Sequence, residues 1–402
     1  MRFLLSLVLM TATAAYSQEW TVLVPQNPPR GRHLHSVYFT AADTGYVVGD
    51  TGTILKTADG GTTWSPLNGG TTRDLYSVCF PTVDSGYVAG NAGTALRTVD
   101  GGATWQRMMV GTGASLYSVY FTDANTGYAA GGGDKRFGPV LAGPFLDSIF
   151  KTTDGGNTWV GRKAVNFRDS TVVALHAIRF RNSRVGYAAG AGNYRVGNRS
   201  VSSGIVLKTT DAGATWSYHI TDTLNGTGPG ILNGISFAND SLGYAVGEYV
   251  TDAFDPNRPN LPFFTVDGGA SWVRDSSYPS GNPYSLQDVV IFPNVGYIAG
   301  NRILKRAQSG WSYDSVAGSF GAFHFFTPDV GYAVGWYGVI AKKSGPLSLL
   351  PRRFSGKSAY SLLSRRGNLV IFALPGEGEY PESRFFDVQG RRRAWLIPVG
   401  KP

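Results

Sequence analysis

The chain is predicted to be all-β, a seven-bladed β-propeller, on three observations. Gly-Tyr recurs seven times, at Gly45, Gly86, Gly127, Gly186, Gly243, Gly296 and Gly331. A segment Leu-x-x-Val/Ile-x-Phe starts eleven residues earlier in five units, at Leu34, Leu75, Leu116, Leu175 and Leu232, and ends at Phe39, Phe80, Phe121, Phe180 and Phe237. A segment Thr-x-Asp-Gly-Gly-x-Thr-Trp follows it, intact in residues 57–64, 98–105 and 152–159. It is nearly intact in 209–216, where Ala212 replaces the first glycine, and in 265–272, where Ser271 replaces threonine. Units of four short strands repeated this often argue a closed ring whose sheet edges are short and protected.

The Leu-x-x-Val-x-Phe segment is read as a strand of period two. Small residues inside it, Ser36, Ser77, Ser118, Ala177 and Gly234, suit strands that crowd near an axis. Gly-Tyr begins the second strand, and a third leads into the threonine of the turn motif. There an aspartate at the head of a tight turn accepts backbone N–H groups two residues on, and glycine supplies positive φ. Asp59, Asp100, Asp154, Asp211 and Asp267 are therefore read as structural staples, since a carboxylate repeated in unit after unit does not mark a single active site. The closing tryptophans, Trp64, Trp105, Trp159, Trp216 and Trp272, bring large apolar surfaces and an N–H that needs a partner, which suits the seam between neighbouring sheets. The sixth and seventh units are degenerate: Trp311 follows Ser309-Gly310 without the aspartate, and Lys343-Ser344-Gly345 has no tryptophan after it. Residues 20–24, headed by Trp20, precede the first unit as the residues from Trp64 on precede the second. They are expected to be the outer strand of the last blade, so that the N-terminal strand closes the ring.

Residues 1–17 read as a secretory signal peptide, with Arg2, an apolar stretch over 3–10 and a small-x-small site at Ala15-Tyr16-Ser17. No run approaches the roughly 18 apolar residues of a membrane-spanning helix. The expected organisation is a signal peptide (1–17), a propeller (18–348) and a basic, β-rich C-terminal appendage (349–402), in a protein that is secreted, periplasmic or held at the cell surface. The lone Cys79 has no partner for a disulfide and reads as a buried thiol. Of the formal net charge of +9, the stretch from Pro351 onward holds ten Lys or Arg against four Asp or Glu, so the basic character belongs mostly to the tail. Its clusters lack interleaved stacking aromatics, and no nucleic-acid partner is expected.

Residues 384–391, Arg-Phe-Phe-Asp-Val-Gln-Gly-Arg, resemble the Tyr-Asp-x-x-Gly-Arg core of C-terminal sorting domains read by the type IX secretion system, which implies a truncated sorting domain. The repeats, over about residues 19–345, resemble the photosystem II assembly and stability factor family, seven-bladed propellers with BNR or Asp-box repeats. That resemblance implies a non-enzymatic, exported assembly factor with a protein or peptide partner. Its photosynthetic members bind the reaction-centre D1 precursor through an arginine-rich surface.

The distance from the Gly-Tyr glycine to the motif aspartate is 14 residues in the first two units and 27, 25 and 24 in the next three. The extra residues fall between the second and third strands, in 132–148, 193–204 and 248–262, and are expected to form a raised rim on one face. Its binding candidates are Lys135, Arg136, Phe137, Tyr194, Arg195, Arg199, Tyr249, Asp255 and Arg258, since arginine beside exposed aromatics is the composition of interface anchors. Linkers between units add Arg32, Arg73, Arg162, Lys163 and Arg168 to that face. Two alternatives stand beside a protein partner. One is a surface carbohydrate-binding or adhesion module that uses the rim tyrosines for a glycan. The other is a glycoside hydrolase: a sialidase-like site needs three arginines to clamp a carboxylate, a tyrosine activated by glutamate and an acid/base aspartate, and glycosidases more generally need two carboxylates roughly 5–10 Å apart. Glu19 and Glu248 are the only glutamates of the propeller, though Asp134, Asp147, Asp252 and Asp255 could pair. There is no His-Glu-x-x-His pair, and His33 and His35 read as one side of a strand without a carboxylate partner. A non-catalytic monomer without metal or cofactor is the expectation.

Overall fold

The computed structural model describes residues 20–23, 31–133, 147–163, 170–196, 199–220, 230–248, 262–279, 285–308 and 310–344, and in the tail 361–366, 369–373, 383–387 and 392–393. The expected signal peptide lies outside the described residues. The chain divides into two compact units, Met1–Pro346 and Leu347–Pro402.

The first unit is an all-β propeller. Strand β1 (Trp20–Leu23) is followed by a sheet of β2 (Leu34–Phe39), β3 (Gly45–Gly49), β4 (Thr53–Thr57) and β5 (Ser65–Pro66), then by one of β6 (Leu75–Cys79), β7 (Gly86–Gly90), β8 (Ala95–Thr98) and β9 (Gln106–Arg107). Next come β10 (Ser115–Phe121), β11 (Gly127–Gly132), β12 (Asp147–Thr152), β13 (Val160–Lys163), β14 (Ser170–Phe180), β15 (Gly186–Val196), β16 (Arg199–Thr209) and β17 (Ser217–Ile220). Where the repeats lead one to expect two separate sheets, these eight strands form one. The cause is local: β14 extends backward until Ala174 pairs with Gly132 of β11, which bridges the third and fourth units. Two further sheets follow, β18 (Ile231–Phe237), β19 (Gly243–Glu248), β20 (Phe263–Thr265) and β21 (Val273–Arg274), then β22 (Asp288–Ile291), β23 (Gly296–Ala299), β24 (Arg302–Ala307) and β25 (Gly310–Ala317). In the last, β26 (Phe320–Thr327), β27 (Val330–Gly335) and β28 (Ile340–Lys343) are completed by β1, whose Trp20 pairs with Lys343 and Leu23 with Ile340. The second unit carries one antiparallel sheet, β29 (Ser361–Arg366), β30 (Leu369–Ala373), β31 (Ser383–Asp387) and β32 (Arg392–Arg393), in chain order.

The inner strands do not keep period two. Leu34 and Val37, three apart, are both buried, which an unbroken strand forbids. Register shifts between Leu34 and Ser36, Leu75 and Ser77, Leu116 and Ser118, Leu175 and Ala177, Leu232 and Gly234, and Phe320 and Ala322 resolve the conflict with a β-bulge. The extra residue of a bulge is re-aimed away from the ladder.

Each hydrophobic cluster lies between consecutive repeat units, and one device recurs there. The phenylalanine ending the inner strand lies over the Gly-Tyr glycine, where a Cβ on Gly45 would sit 2.5 Å from the Phe39 ring. It stacks on the tyrosine of the preceding sheet, Phe39 on Tyr332 at 3.7 Å between centroids and Phe80 on Tyr46 at 3.9 Å. The motif tryptophan meets the phenylalanine edge to face, as Trp64 meets Phe39 at 86°. The tyrosine hydroxyl donates to a carbonyl of the next sheet's turn, Tyr46 to Gly101 at 2.8 Å, Tyr87 to Gly155 at 2.9 Å and Tyr332 to Gly60 at 3.0 Å. Lys56, Lys151, Lys208 and Lys342 donate beside it to the same carbonyls as Tyr46, Tyr128, Tyr187 and Tyr332.

The turn itself differs in detail from expectation. Asp59 accepts the N–H of Thr63, four residues on, at 2.9 Å and the Thr63 hydroxyl at 2.6 Å. The N–H two residues on, of Gly61, goes to Thr57 Oγ1 at 2.9 Å, and that hydroxyl donates to Asp59 at 2.8 Å. The same bonds recur around Asp100, Asp154, Asp211 and Asp267. They hold the carboxyls of Asp59, Asp100, Asp154 and Asp211 at about 2 and that of Asp267 lower still, with the hydroxyl of residue i+4 the largest cause. The indole N–H finds an acceptor at Trp64, on Gly61 O at 3.1 Å. In Trp105, Trp159, Trp216 and Trp272 it meets none in bonding geometry, so packing and not a hydrogen bond places those rings.

The two degenerate units are repaired from elsewhere. At the sixth unit, whose turn lacks the aspartate, Tyr244 donates to the buried carboxylate of Asp275 at 2.8 Å, and Trp311 Nε1 donates to the same oxygen at 2.9 Å. Burial pushes that carboxyl up, but Ser277, Tyr244 and Trp311 outweigh it and hold it below the usual range. In the last sheet Trp20 fills the missing tryptophan's place, edge to face with Phe325 at 87° and donating to Asp314 at 3.2 Å.

Candidate functional site

Backbone bonds define two faces of the propeller. On one, each turn motif is tied to the loop between the first and second strands, as Gly60 N–H to Asp43 O and Gly101 N–H to Asp84 O. On the other, the connection between the second and third strands is tied to the linker entering its own sheet, Asp50 N–H to His33 O, Asn91 N–H to Asp74 O and Trp336 N–H to Ser319 O. The sequence insertions fall in that same connection, and the described part of the second, in β15 and β16, leaves from this linker face.

Of the rim candidates, Lys135, Arg136, Phe137, Tyr249, Asp255 and Arg258 lie outside the described residues. Tyr194 and Arg195 are on β15 and Arg199 is on β16, so the second insertion is a strand pair and not a loop. Each of those strands runs to 11 residues against 5 in β3 and β4. The six extra residues correspond to an arm of about 20 Å at roughly 3.3 Å per residue. It has three strands, because Ser170 of β14 pairs with Tyr194.

The bulges create a feature that period-two reasoning misses. They re-aim His35, Tyr76, Tyr117 and His176 from four successive units into a ladder, with ring centroids 5.4, 5.3 and 4.6 Å apart. His35 has a carboxylate partner after all: its Nε2 lies 2.7 Å from Asp50 Oδ1, while the His33 N–H donates to Oδ2 at 2.8 Å. Burial pushes the Asp50 carboxyl up, and these bonds more than reverse it. His33 itself precedes the strand and accepts the Tyr337 N–H, its ring edge to face with both Trp336 and Tyr337. Trp336 is 41% and Tyr337 75% exposed. Their place could have been read from the sequence, since the equivalent connections carry Asp50-Thr51 and Asn91-Ala92.

Toward the middle of the inner strands the serine hydroxyls knit neighbouring sheets, Ser36 accepting the Val78 N–H at 3.2 Å and Ser77 the Val119 N–H at 3.1 Å. Two charges stand near these positions. Arg179 donates to Ile178 O at 2.9 Å and to Ser118 Oγ at 3.3 Å, and Asp288 accepts the Phe323 N–H at 3.0 Å. Burial pushes the Asp288 carboxyl up, against the pull of Arg179, and pushes the His324 imidazole down to about 4. It also raises the Cys79 thiol to about 11, consistent with an inert, buried cysteine. Among the described residues no group of three or more His, Cys, Asp or Glu is placed to hold a metal ion. No described helix is long and apolar enough to cross a membrane.

Sheets repeated around an axis, locked by the same tyrosine, phenylalanine and turn carbonyl, define the class: a repeat-built β-propeller. The family described as photosynthesis system II assembly factor YCF48 matches residues 12–113. Among solved structures, the chain is similar to "YCF48 bound to D1 peptide" at 19% identity, covering 81% of this chain and 97% of that one with a TM-score of 0.58. It is similar to YCF48 from Cyanidioschyzon merolae at 18% identity, covering 81% and 99% with a TM-score of 0.58. A GH74 enzyme of Niastella koreensis shares the fold more loosely, at 15% identity and a TM-score of 0.51, covering 91% of this chain and 59% of that one. No curated protein matches the chain. The resemblance carried by the repeats holds: the chain is similar to photosystem II assembly factors over residues 12–113 and shares their β-propeller fold. None of these matches bears on the sorting-domain resemblance of the tail.

Proposed function

We propose that the protein is an exported, non-catalytic binding or assembly factor that holds a protein or peptide partner on its linker face. The eight-stranded sheet is counted as two blades joined at one residue pair, which makes a seven-bladed propeller with Asp-box turns. The observation that carries the binding reading is the three-stranded arm of β14, β15 and β16, in which the described part of the second insertion leaves the linker face, while the sequence places the other two insertions at the same connection of their own units. Insertions gathered on one face of a repeat protein mark its binding face. A propeller of the same fold holds a peptide, by the description "YCF48 bound to D1 peptide", which favours a peptide partner here as well.

Hydrolysis is less well supported. Two linker-face carboxylates within the described residues are engaged, Asp50 by His33 and His35 and Asp74 by the Thr51 N–H at 2.8 Å. A glycosidase needs a free pair. Export rests on residues 1–17, and a sorting role for the tail on residues 384–391.

The test is an affinity pulldown from the host's envelope fraction, with wild type against a variant carrying Arg136→Ala, Arg195→Ala and Arg258→Ala. Capture of a protein by wild type alone places binding on the rim. Capture by neither removes the assembly-factor reading and turns attention to glycan arrays and hydrolase assays.

A further inference from the structure

We propose that the axial channel of the propeller is a binding site for a small zwitterion of the α-amino-acid class, its carboxylate on Arg179 and its ammonium on Asp288. The site is separate from the rim and stands or falls without it. The first strands touch one another in order, β2, β6, β10, β14, β18, β22, β26 and back to β2, so together they enclose the axis. Arg179 holds the place that Tyr38, Tyr120 and His324 hold in their own units, one before the closing phenylalanine. Side chains at this place meet around the axis, as Tyr38 meets His324 at 4.7 Å between ring centroids. Burial raises the Cys79 thiol, the Tyr120 hydroxyl and the Asp288 carboxyl, and the Arg179 charge opposes it in all three. These groups belong to the second, third and sixth units, and a charge that reaches all of them stands near the axis.

Water reaches this place. Ile178 and Phe180 are buried, yet Arg179 between them is exposed, and Tyr38, Asp288 and His324 are half-buried. Arg179 spends Nη1 on Ile178 O and Ser118 Oγ and keeps Nε and Nη2 without a partner among the described residues. Ser118 and Asp288 hold the same place in their units, each accepting an N–H of the next first strand, from Ile178 and Phe323. The guanidinium and the carboxylate therefore lie in one layer of the channel, with the third and fourth units on one side and the sixth on the other. Among the described residues no ion pair joins them. Asp288 accepts the N–H groups of Val289 and Phe323, one on each oxygen, so each oxygen keeps a lone pair to offer.

Charge decides the ligand. Apart from histidines, Arg179 and Asp288 are the only formally charged residues on these first strands, and they cancel. His324, which burial holds near 4, is neutral at pH 7. An anion gains on Arg179 and is repelled by Asp288, and a cation meets the reverse. A ligand that carries both signs gains on both, through charge-assisted bonds in a confined channel.

The test is isothermal titration calorimetry of the full chain with the common L-amino acids one at a time, and with propionate and ethylamine as ligands of one charge each. At least one amino acid is expected to bind about tenfold or more tighter than either control. The repeats themselves supply variants that keep the fold. Asp288→Ser gives the sixth unit what Ser36, Ser77 and Ser118 give theirs, a neutral acceptor for the next strand's N–H. Arg179→Ser follows Ser236, which holds the same place in the fifth unit. Each variant is expected to melt cooperatively and to bind the amino acid about tenfold or more weakly. Their preferences should move in opposite directions, the Asp288 variant gaining affinity for propionate and the Arg179 variant for ethylamine. A purely structural role for either residue would change stability without that exchange. The inference is overturned if wild type binds no amino acid at millimolar concentration, if the controls bind as well as the amino acids, or if both variants bind like wild type. The envelope pulldown reads the rim and is untouched by any of these results.

Discussion

At the scale of single residues, small departures from the repeat decide local energetics. Ala212 adopts φ 58 where the sister turns place Gly60 at φ 70 and Gly101 at φ 64. Its carbonyl still receives Tyr128 and Lys151, so the position is kept for its backbone and the methyl group is a burden. Ala212→Gly is expected to stabilise the protein by about 0.5–1 kcal/mol, less than the full left-handed penalty because glycine also loosens the unfolded chain. A shift in the urea midpoint measures it. Acid should act in two windows. His324 is held near 4, below its unfolded value of roughly 6.5, so its contribution is present above pH ~6.5 and is lost as pH falls toward 4. The turn aspartates near 2 stabilise fully above their unfolded value of roughly 3.9, and that contribution is lost as pH falls through 2. Melting temperatures across this range should show both steps in wild type, and His324→Phe should remove only the upper one.

At the scale of elements, the repeat made the tyrosine and phenylalanine strands and the aspartate turn legible, because each is a residue type at a fixed spacing. The bulge was also written there, in a leucine and a valine three apart that both had to be buried, but a period-two reading hides it. With it went the histidine and tyrosine ladder and the His35–Asp50 pair. The merged sheet was not legible, since it depends on how far β14 extends before its repeat begins. Asp275 was invisible for a different reason: it lies outside the repeat register and replaces a lost turn only in three dimensions. Tyr244 is 1% and Trp311 5% exposed, so Asp275→Ala would leave two buried donors without an acceptor. That is expected to cost about 2–4 kcal/mol. Hydrogen exchange should quicken first in β22 to β25, and unchanged exchange there would show that another group takes over.

At the scale of the whole molecule, a ring is only as strong as the joint made by its two ends. Every other sheet is built from consecutive strands, whereas the last one borrows β1 from the far end of the unit. Trp20 is 6% exposed and packs against Tyr297, Phe323 and Phe325, so it touches both the sheet it completes and the one before it. Lys343, fully buried, places its ammonium 5.7 Å from the Trp20 ring centroid, and burial holds its basicity below that of a free lysine. Removing the indole therefore opens a cavity and strips a buried cation of one of its walls. Trp20→Ala is expected to destabilise by about 3–5 kcal/mol, the range for deleting a large aromatic from a core. A core mutation confined to one sheet would raise hydrogen exchange in that sheet alone. Loss of Trp20 should instead raise it in β22 to β25 and β26 to β28 together, while also loosening the adjoining Tyr332–Phe39 seam through β28. If exchange rises only in β1 and the melting temperature stays put, the N-terminal strand is an ornament on a ring that the tyrosine seams hold shut by themselves.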